Sequence, residues 1–173
     1  AGTLSCSPNP VAFGGSSTCT ATAALGFAFG NWSGDCSGAT CSLSNVVGPR
    51  SVTANFVALP LLNIDNSAAP SVYEAATDGL LLMRYLLGLR GPELVAGALG
   101  NAAQRNATQI ELHLQTYLAR FDVDGDGLVR PQTDGLMIYR RLLGLSGAAL
   151  TAGAKNSSRT DLDIANAIDA LRP

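Results

Sequence analysis

Hydrophobic and polar positions alternate with a period of two along the first third of the chain, and the period then changes. Thr18-Cys19-Thr20-Ala21-Thr22 and Ser51-Val52-Thr53-Ala54-Asn55-Phe56-Val57 have the spacing of half-buried β-strands. Asn9-Pro10, Gly14-Gly15, Ser33-Gly34 and Gly48-Pro49 fall between such runs and supply the chemistry of turns. Residues 1–58 are therefore expected to form a small all-β module. Its apolar residues are few, with Phe27, Phe29, Trp32 and Phe56 as the expected core. A core that small needs a covalent supplement.

After Ala58-Leu59-Pro60 the pattern becomes leucine-rich with helical spacing, and it repeats. Thr77-Asp78-Gly79-Leu80 through Arg84-Tyr85-Leu86-Leu87-Gly88-Leu89 aligns with Thr133-Asp134-Gly135-Leu136 through Arg140-Arg141-Leu142-Leu143-Gly144-Leu145, an offset of 56 residues. A duplicated all-α domain is expected over 59–173, with copies at 61–118 and 121–173. In each copy Thr or Asp should cap a helix that ends at Gly88 or Gly144. A second helix should carry Ile110, Leu114 and Tyr117 in one copy and Ile164, Ile168 and Leu171 in the other. Leu80, Leu81, Leu82, Met83, Leu86 and Leu87 surround most of the first helix, which must be buried on more than one side. Packing of the copies on each other meets that need; the alternative leaves one strip for a partner.

Charged residues make up only 14% and the net charge is −2, so no basic stripe is available to neutralise phosphates and nucleic acid is not an expected partner. The longest apolar run is broken by Arg84 and stopped by Gly88, too short for a membrane span. No secretion-signal pattern opens the sequence, so such a signal is expected to have been removed or to lie upstream. The four cysteines, Cys6, Cys19, Cys36 and Cys41, all lie in the first quarter, while the lone histidine is His113. Zinc-type spacings are absent. Two disulfides are the expected use, and they imply an oxidising compartment. Four cysteines allow three pairings; Cys6 with Cys19 and Cys36 with Cys41 is the expected one, closing two short loops and contributing about 2–3 kcal/mol each.

Gly30-Asn31-Trp32-Ser33-Gly34-Asp35-Cys36, the nearby Cys41 and the closing strand Ser51-Val52-Thr53-Ala54-Asn55-Phe56 resemble divergent internalin-B-type bacterial repeat modules. That resemblance implies small β-domains that occur in tandem on secreted proteins, and so an extracellular or cell-surface, bacterial setting.

The richest chemistry precedes the leucine-rich helix of the second copy, in Phe121-Asp122-Val123-Asp124-Gly125-Asp126-Gly127-Leu128-Val129. Calcium takes six to eight oxygens at about 2.3–2.6 Å, and carboxylates at loop positions 1, 3 and 5 converge on one point when glycine at position 6 turns the backbone sharply. Asp122, Asp124, Asp126 and Gly127 have that spacing. Leu128 is expected to offer its carbonyl and Val129 to point into the core. Position 9 is Arg130, which cannot ligate, and position 12 is Thr133, with the closing acid Asp134 one residue later. The competing reading is an acidic β-turn. The first copy is degenerate: Leu62-Asn63-Ile64-Asp65-Asn66-Ser67 aligns at an offset of 59, three residues more than the helices. Asn63, Asp65, Ser67, Glu74 and Asp78 are the candidate donors of a weaker first site, unless the loop is vestigial.

The Asp-x-Asp-x-Asp-Gly loop, the leucine-rich helix with Arg before Leu-Leu-Gly, and the duplication together resemble type I dockerin. The resemblance implies an EF-hand-like (F-hand) calcium-binding domain that docks noncovalently onto a cohesin-like protein, although Ala75-Ala76 and Pro131-Gln132 stand where dockerins carry small hydroxyl residues. No Gly-x-Ser-x-Gly elbow or phosphate loop is present, and His113 has no free thiol or motif-placed serine as a partner. His113 is expected at the surface or half-buried, Asp161 and Asp163 as helix-start charges, and Trp32 and Tyr73 as core rather than as sugar platforms. A non-catalytic extracellular attachment module is the expected function. A self-associating subunit of a filament or surface array and a carbohydrate-binding accessory module are the alternatives.

Overall fold

The computed structural model describes residues 1–70 and 72–173. The chain divides into two compact units, Ala1–Leu59 and Pro60–Pro173, each of which follows from its own periodicity.

The first unit is all β. Strands β1 (Gly2–Ser7), β2 (Gly15–Ala23) and β4 (Cys41–Val46) form one antiparallel sheet in the order β1-β2-β4, and β3 (Phe27–Gly34) pairs with β5 (Val52–Ala58) in a second. Cys19 lies opposite both Cys6 on β1 and Cys41 on β4. The disulfides are Cys6–Cys19 and Cys36–Cys41, the expected pairing. Cys19, Cys36 and Cys41 enclose Trp32, which is 4% exposed. The expected aromatic core needs correction here. Phe27, Phe29 and Phe56 are only half-buried, with Phe29 tilted against Trp32 at 5.2 Å and edge-on to Phe56 at 6.2 Å. Two sheets of three and two strands have a single enclosed centre, and one indole with two disulfides fills it. At the end of β3 the Asp35 carboxylate accepts a hydrogen bond from the Ser51 amide at 2.6 Å. A side chain at Gly34 (φ +88°) would collide with the Ser51 carbonyl.

The second unit is helical: α1 (Leu80–Leu86), α2 (Gly91–Val95), α3 (Ala107–Tyr117), α4 (Leu136–Leu142), α5 (Ala148–Thr151) and α6 (Asp161–Asp169). Its duplication extends to the core. Leu62, Ile64, Leu81, Leu82, Leu94, Ile110 and Leu114 are fully buried, and so are Phe121, Val123, Met137, Ile138, Leu150, Ile164 and Ile168 at the equivalent positions. Each first helix is preceded by one wide π-helical turn, Ala75–Gly79 or Pro131–Gly135. There the Gly79 amide donates to Glu74 O and the Gly135 amide to Arg130 O, both at 3.1 Å. Thr77, Asp78, Thr133 and Asp134 thus lie inside the helical turn and do not cap it. A π-turn takes up one residue more than an α-turn, which is how a loop one residue too long still enters its helix in register. Both helices end as expected. Gly88 (φ +93°) donates to Tyr85 O and Leu89 to Arg84 O, repeated by Gly144 (φ +87°) to Arg141 O and Leu145 to Arg140 O, a Schellman motif in each copy.

Two features were not read from the sequence. The short helices α2 and α5 intervene before each second helix, and Arg84 and Arg140 tie them down. Each guanidinium donates to two carbonyls, Leu94 O and Ala96 O in one copy, Leu150 O and Ala152 O in the other. His113, expected at the surface or half-buried, is buried, with Nε2 2.8 Å from Leu61 O and its ring against Tyr117. Burial, partly offset by the Leu61 carbonyl, lowers its pKa. Among the described residues no helix is long and apolar enough to cross a membrane.

Candidate metal centre

The second loop gathers its acids. Asp122, Asp124 and Asp126 each offer a carboxylate oxygen, and these lie within 4.8 Å of one another. Gly125 and Gly127, at φ +75° and +88°, make the bend, and the carboxylates hold it. Asp122 accepts from the Gly125 amide at 2.7 Å and the Gly127 amide at 2.9 Å. Asp124 accepts from the Asp126 amide at 3.1 Å, and Asp126 from the Leu128 amide at 2.8 Å. A carboxylate has about four acceptor sites, so these bonds leave lone pairs for a cation. The donor set is all oxygen and anionic, which suits a hard divalent ion. Asp124 is fully buried, Leu128 is exposed, and Val129 is half-buried rather than in the core.

Asp134, the expected closing acid, is not one of the three clustered acids and makes its hydrogen bonds to the loop backbone and Thr133. Its Oδ1 accepts from the Val123 amide at 2.9 Å, and its Oδ2 from the Arg130 amide at 3.2 Å and the Thr133 hydroxyl at 2.7 Å. Asp78 in the first copy does the same with Ile64 at 2.6 Å, Glu74 at 3.1 Å and Thr77 at 3.4 Å. Both carboxyls are fully buried and bracket the start of the loop to the start of the helix. Burial pushes the Asp78 carboxyl up to about 6 against the pull of its amide donors, and it raises Asp134 in the same direction.

The first loop brings its candidates together differently. The Asn63 side chain accepts from the Ser67 amide at 2.9 Å and donates to Ser67 O at 3.0 Å, so its amide nitrogen faces the loop's own backbone. Asp65 accepts from the Ser67 amide and from Gly100 at 2.6 Å, as Asp124 accepts from Asn156 at 2.8 Å. Glu74 enters the network through its backbone. Among the described residues the second loop alone has three such acidic groups together.

Sequence reading missed three contributors. Asn156, 30 residues from Asp126, donates to it through the side chain at 2.9 Å. Arg105 donates to Asn63 O and Ile64 O, and Arg159 to Val123 O. The arginines carried a legible signal: each directly precedes a helix N-cap, Asn106 or Thr160, at equivalent places in the repeat. Asn156 carried none, because its counterpart is Gly100. Arg130, set aside as a non-ligand, pairs with Asp126 at 2.7 Å. The Asn156 amide, the Leu128 amide and Arg130 hold the Asp126 carboxyl below the usual carboxylate range.

A family model described as a divergent InlB B-repeat domain matches residues 1–60, the span of the β unit. No dockerin family model matches the helical unit. No curated protein and no solved structure matches the chain.

Proposed function

We propose that the chain is a non-catalytic extracellular module whose helical unit is an EF-hand-like, dockerin-like calcium-binding domain serving noncovalent attachment or assembly at a bacterial surface. The observation that carries this reading is the convergence of Asp122, Asp124 and Asp126 within 4.8 Å on a loop turned by glycine and leading into a helix whose whole loop-helix unit is duplicated. The ion would be held by those three carboxylates, with Leu128 O as a backbone donor, and would supply charge neutralisation and loop order. Asp134 supports the site from behind by fixing the loop backbone. The extracellular setting draws on the two disulfides and on the similarity of residues 1–60 to a bacterial repeat domain. Calorimetric titration of metal-stripped protein with calcium tests it: saturable binding that is lost in Asp124→Ala is expected, and absence of binding at low ionic strength refutes it.

A second reading, self-association through the helical unit, is favoured by one observation. Leu87 and Leu143 occupy equivalent places after α1 and α4, and each is 60% exposed. Sedimentation with and without calcium separates the two, because a docking module stays monomeric.

A further inference from the structure

The second loop gathers acid where the first does not, yet the chain itself puts a cation beside it. Arg130 lies at the far side of the loop, with its guanidinium 2.7 Å from Asp126 Oδ2 and its backbone amide on Asp134 Oδ2. One residue therefore ties the middle of the loop to its end. Asn156 adds a second clasp, donating to Asp126 through its side chain and to Asp124 through its backbone. The Arg130 side chain is 39% exposed and that of Asp126 only 9%, so the cation can swing out to water while the carboxylate stays.

The duplication provides an internal comparison. In the first loop Asn63 and Ser67 replace Asp122 and Asp126, and Glu74 replaces Arg130. Where two acids are missing, the cation is missing too and an acid takes its place. With Arg105 and Arg159 included, the formal charges at the equivalent positions of the two loops are both −2.

We propose that Arg130 is the built-in counter-cation of the second loop, holding it closed without a metal ion and lowering the affinity with which it takes calcium. The second half of this rests on the calcium reading above; the first half does not. A positive charge a few ångströms from a divalent ion repels it, and the guanidinium can move away only by giving up its pairing with Asp126. Even at the dielectric constant of water, a separation of about 6 Å weakens binding by about tenfold.

The test uses the full chain, with Arg130→Gln, Asp126→Asn, their double variant and the charge-keeping Arg130→Lys. In chelator at low ionic strength the helical unit of Arg130→Gln should melt below that of the wild type. Adding Arg130→Gln to Asp126→Asn should cost less than adding it to the wild type. Calorimetric titration should show Arg130→Gln binding calcium several-fold to tenfold more tightly, with the gap narrowing as salt rises, and Arg130→Lys staying near the wild type. Unchanged melting of Arg130→Gln in chelator, or additive losses in the double variant, overturns the counter-cation. Unchanged or weaker calcium binding by Arg130→Gln, or a Lys variant that behaves like Gln, overturns the effect on affinity. If no variant binds calcium, the calcium reading fails by itself, and the chelator melts still decide the first half. A Gln variant that folds only when calcium is added supports the counter-cation, and its calcium affinity is then compared with that of the wild type after the folding cost has been removed.

Discussion

Gly79 and Gly135 mark the places where one helical copy meets the other, and their surroundings are unequal. A Cβ at Gly79 would come within 2.9 Å of the Tyr139 ring, while one at Gly135 would come within 2.8 Å of the Met83 sulfur. An aromatic ring on a packed helix yields less than a thioether with three rotatable bonds. Gly79→Ala should therefore destabilise the helical unit by about 1–3 kcal/mol. Gly135→Ala should fall close to neutral, because the helix propensity gained, up to about 1 kcal/mol, offsets the movement of Met83. Urea unfolding of both variants checks the order. The buried Asp78 carboxyl gives a pH signature. Its folded pKa, about 6 against an ordinary 3.8, lies above the unfolded value, so its contribution is fully present below the unfolded value and is lost as pH rises through 6, by about 3 kcal/mol. His113 acts in the opposite sense: its lowered pKa contributes stability above its unfolded value and loses it as pH falls. The quantity to measure is thus the difference between wild type and Asp78→Asn, which should shrink in the wild type's disfavour from pH 4 to 7. A flat difference would remove Asp78 as the cause. Neither glycine's role was legible in the repeat, because a shared Gly can equally mark a turn.

Among the elements, the two loops should answer calcium differently. Ion binding to the folded form alone adds about 2.7 kcal/mol at a hundred times Kd, so calcium should raise the melting temperature of the helical unit and a chelator should reverse the rise. Asp124→Ala should abolish the response. Asp65→Ala should destabilise the unit, since it strips acceptors from the Ser67 and Gly100 amides, yet leave the calcium increment intact. Loss of the increment in both variants would mean that the loops work as one site. The acid spacing of the second loop was readable because carboxylates at alternate positions before a glycine leave few other uses. The place of Asp134 was not. Its one-residue delay is absorbed by a π-turn, and the same turn aims the carboxyl at backbone amides. Helix ends at Gly88 and Gly144 were readable, because a left-handed residue after a leucine run is a local requirement. The short helices α2 and α5 were not, since five and four residues hold too few periods to register and depend on Arg84 and Arg140 for their carbonyl partners.

At the scale of the molecule, the two units should respond to different reagents. Reducing Cys6–Cys19 and Cys36–Cys41 removes about 2–3 kcal/mol each from a unit whose enclosed centre is Trp32 and the cystines themselves. A reductant should therefore unfold residues 1–59 and expose the lone tryptophan, shifting its emission to the red, while the calcium-dependent transition of the helical unit persists. Trp fluorescence followed alongside far-ultraviolet circular dichroism checks this, and simultaneous loss of both signals would refute it. The sequence by itself determined the change from strand to helix near Pro60, the duplication, the confinement of all four cysteines to the β unit, and the acidic loop, because each is written in local spacing; of the three possible cystine pairings the structure selected one. Only the tertiary structure decided which aromatic is enclosed, that His113 is buried, that Asp78 and Asp134 bracket backbone, and that Asn156 and Arg130 close on Asp126. Those depend on groups brought together from distant stretches of chain, and burial and partnership at such distances are properties of packing that no local period encodes.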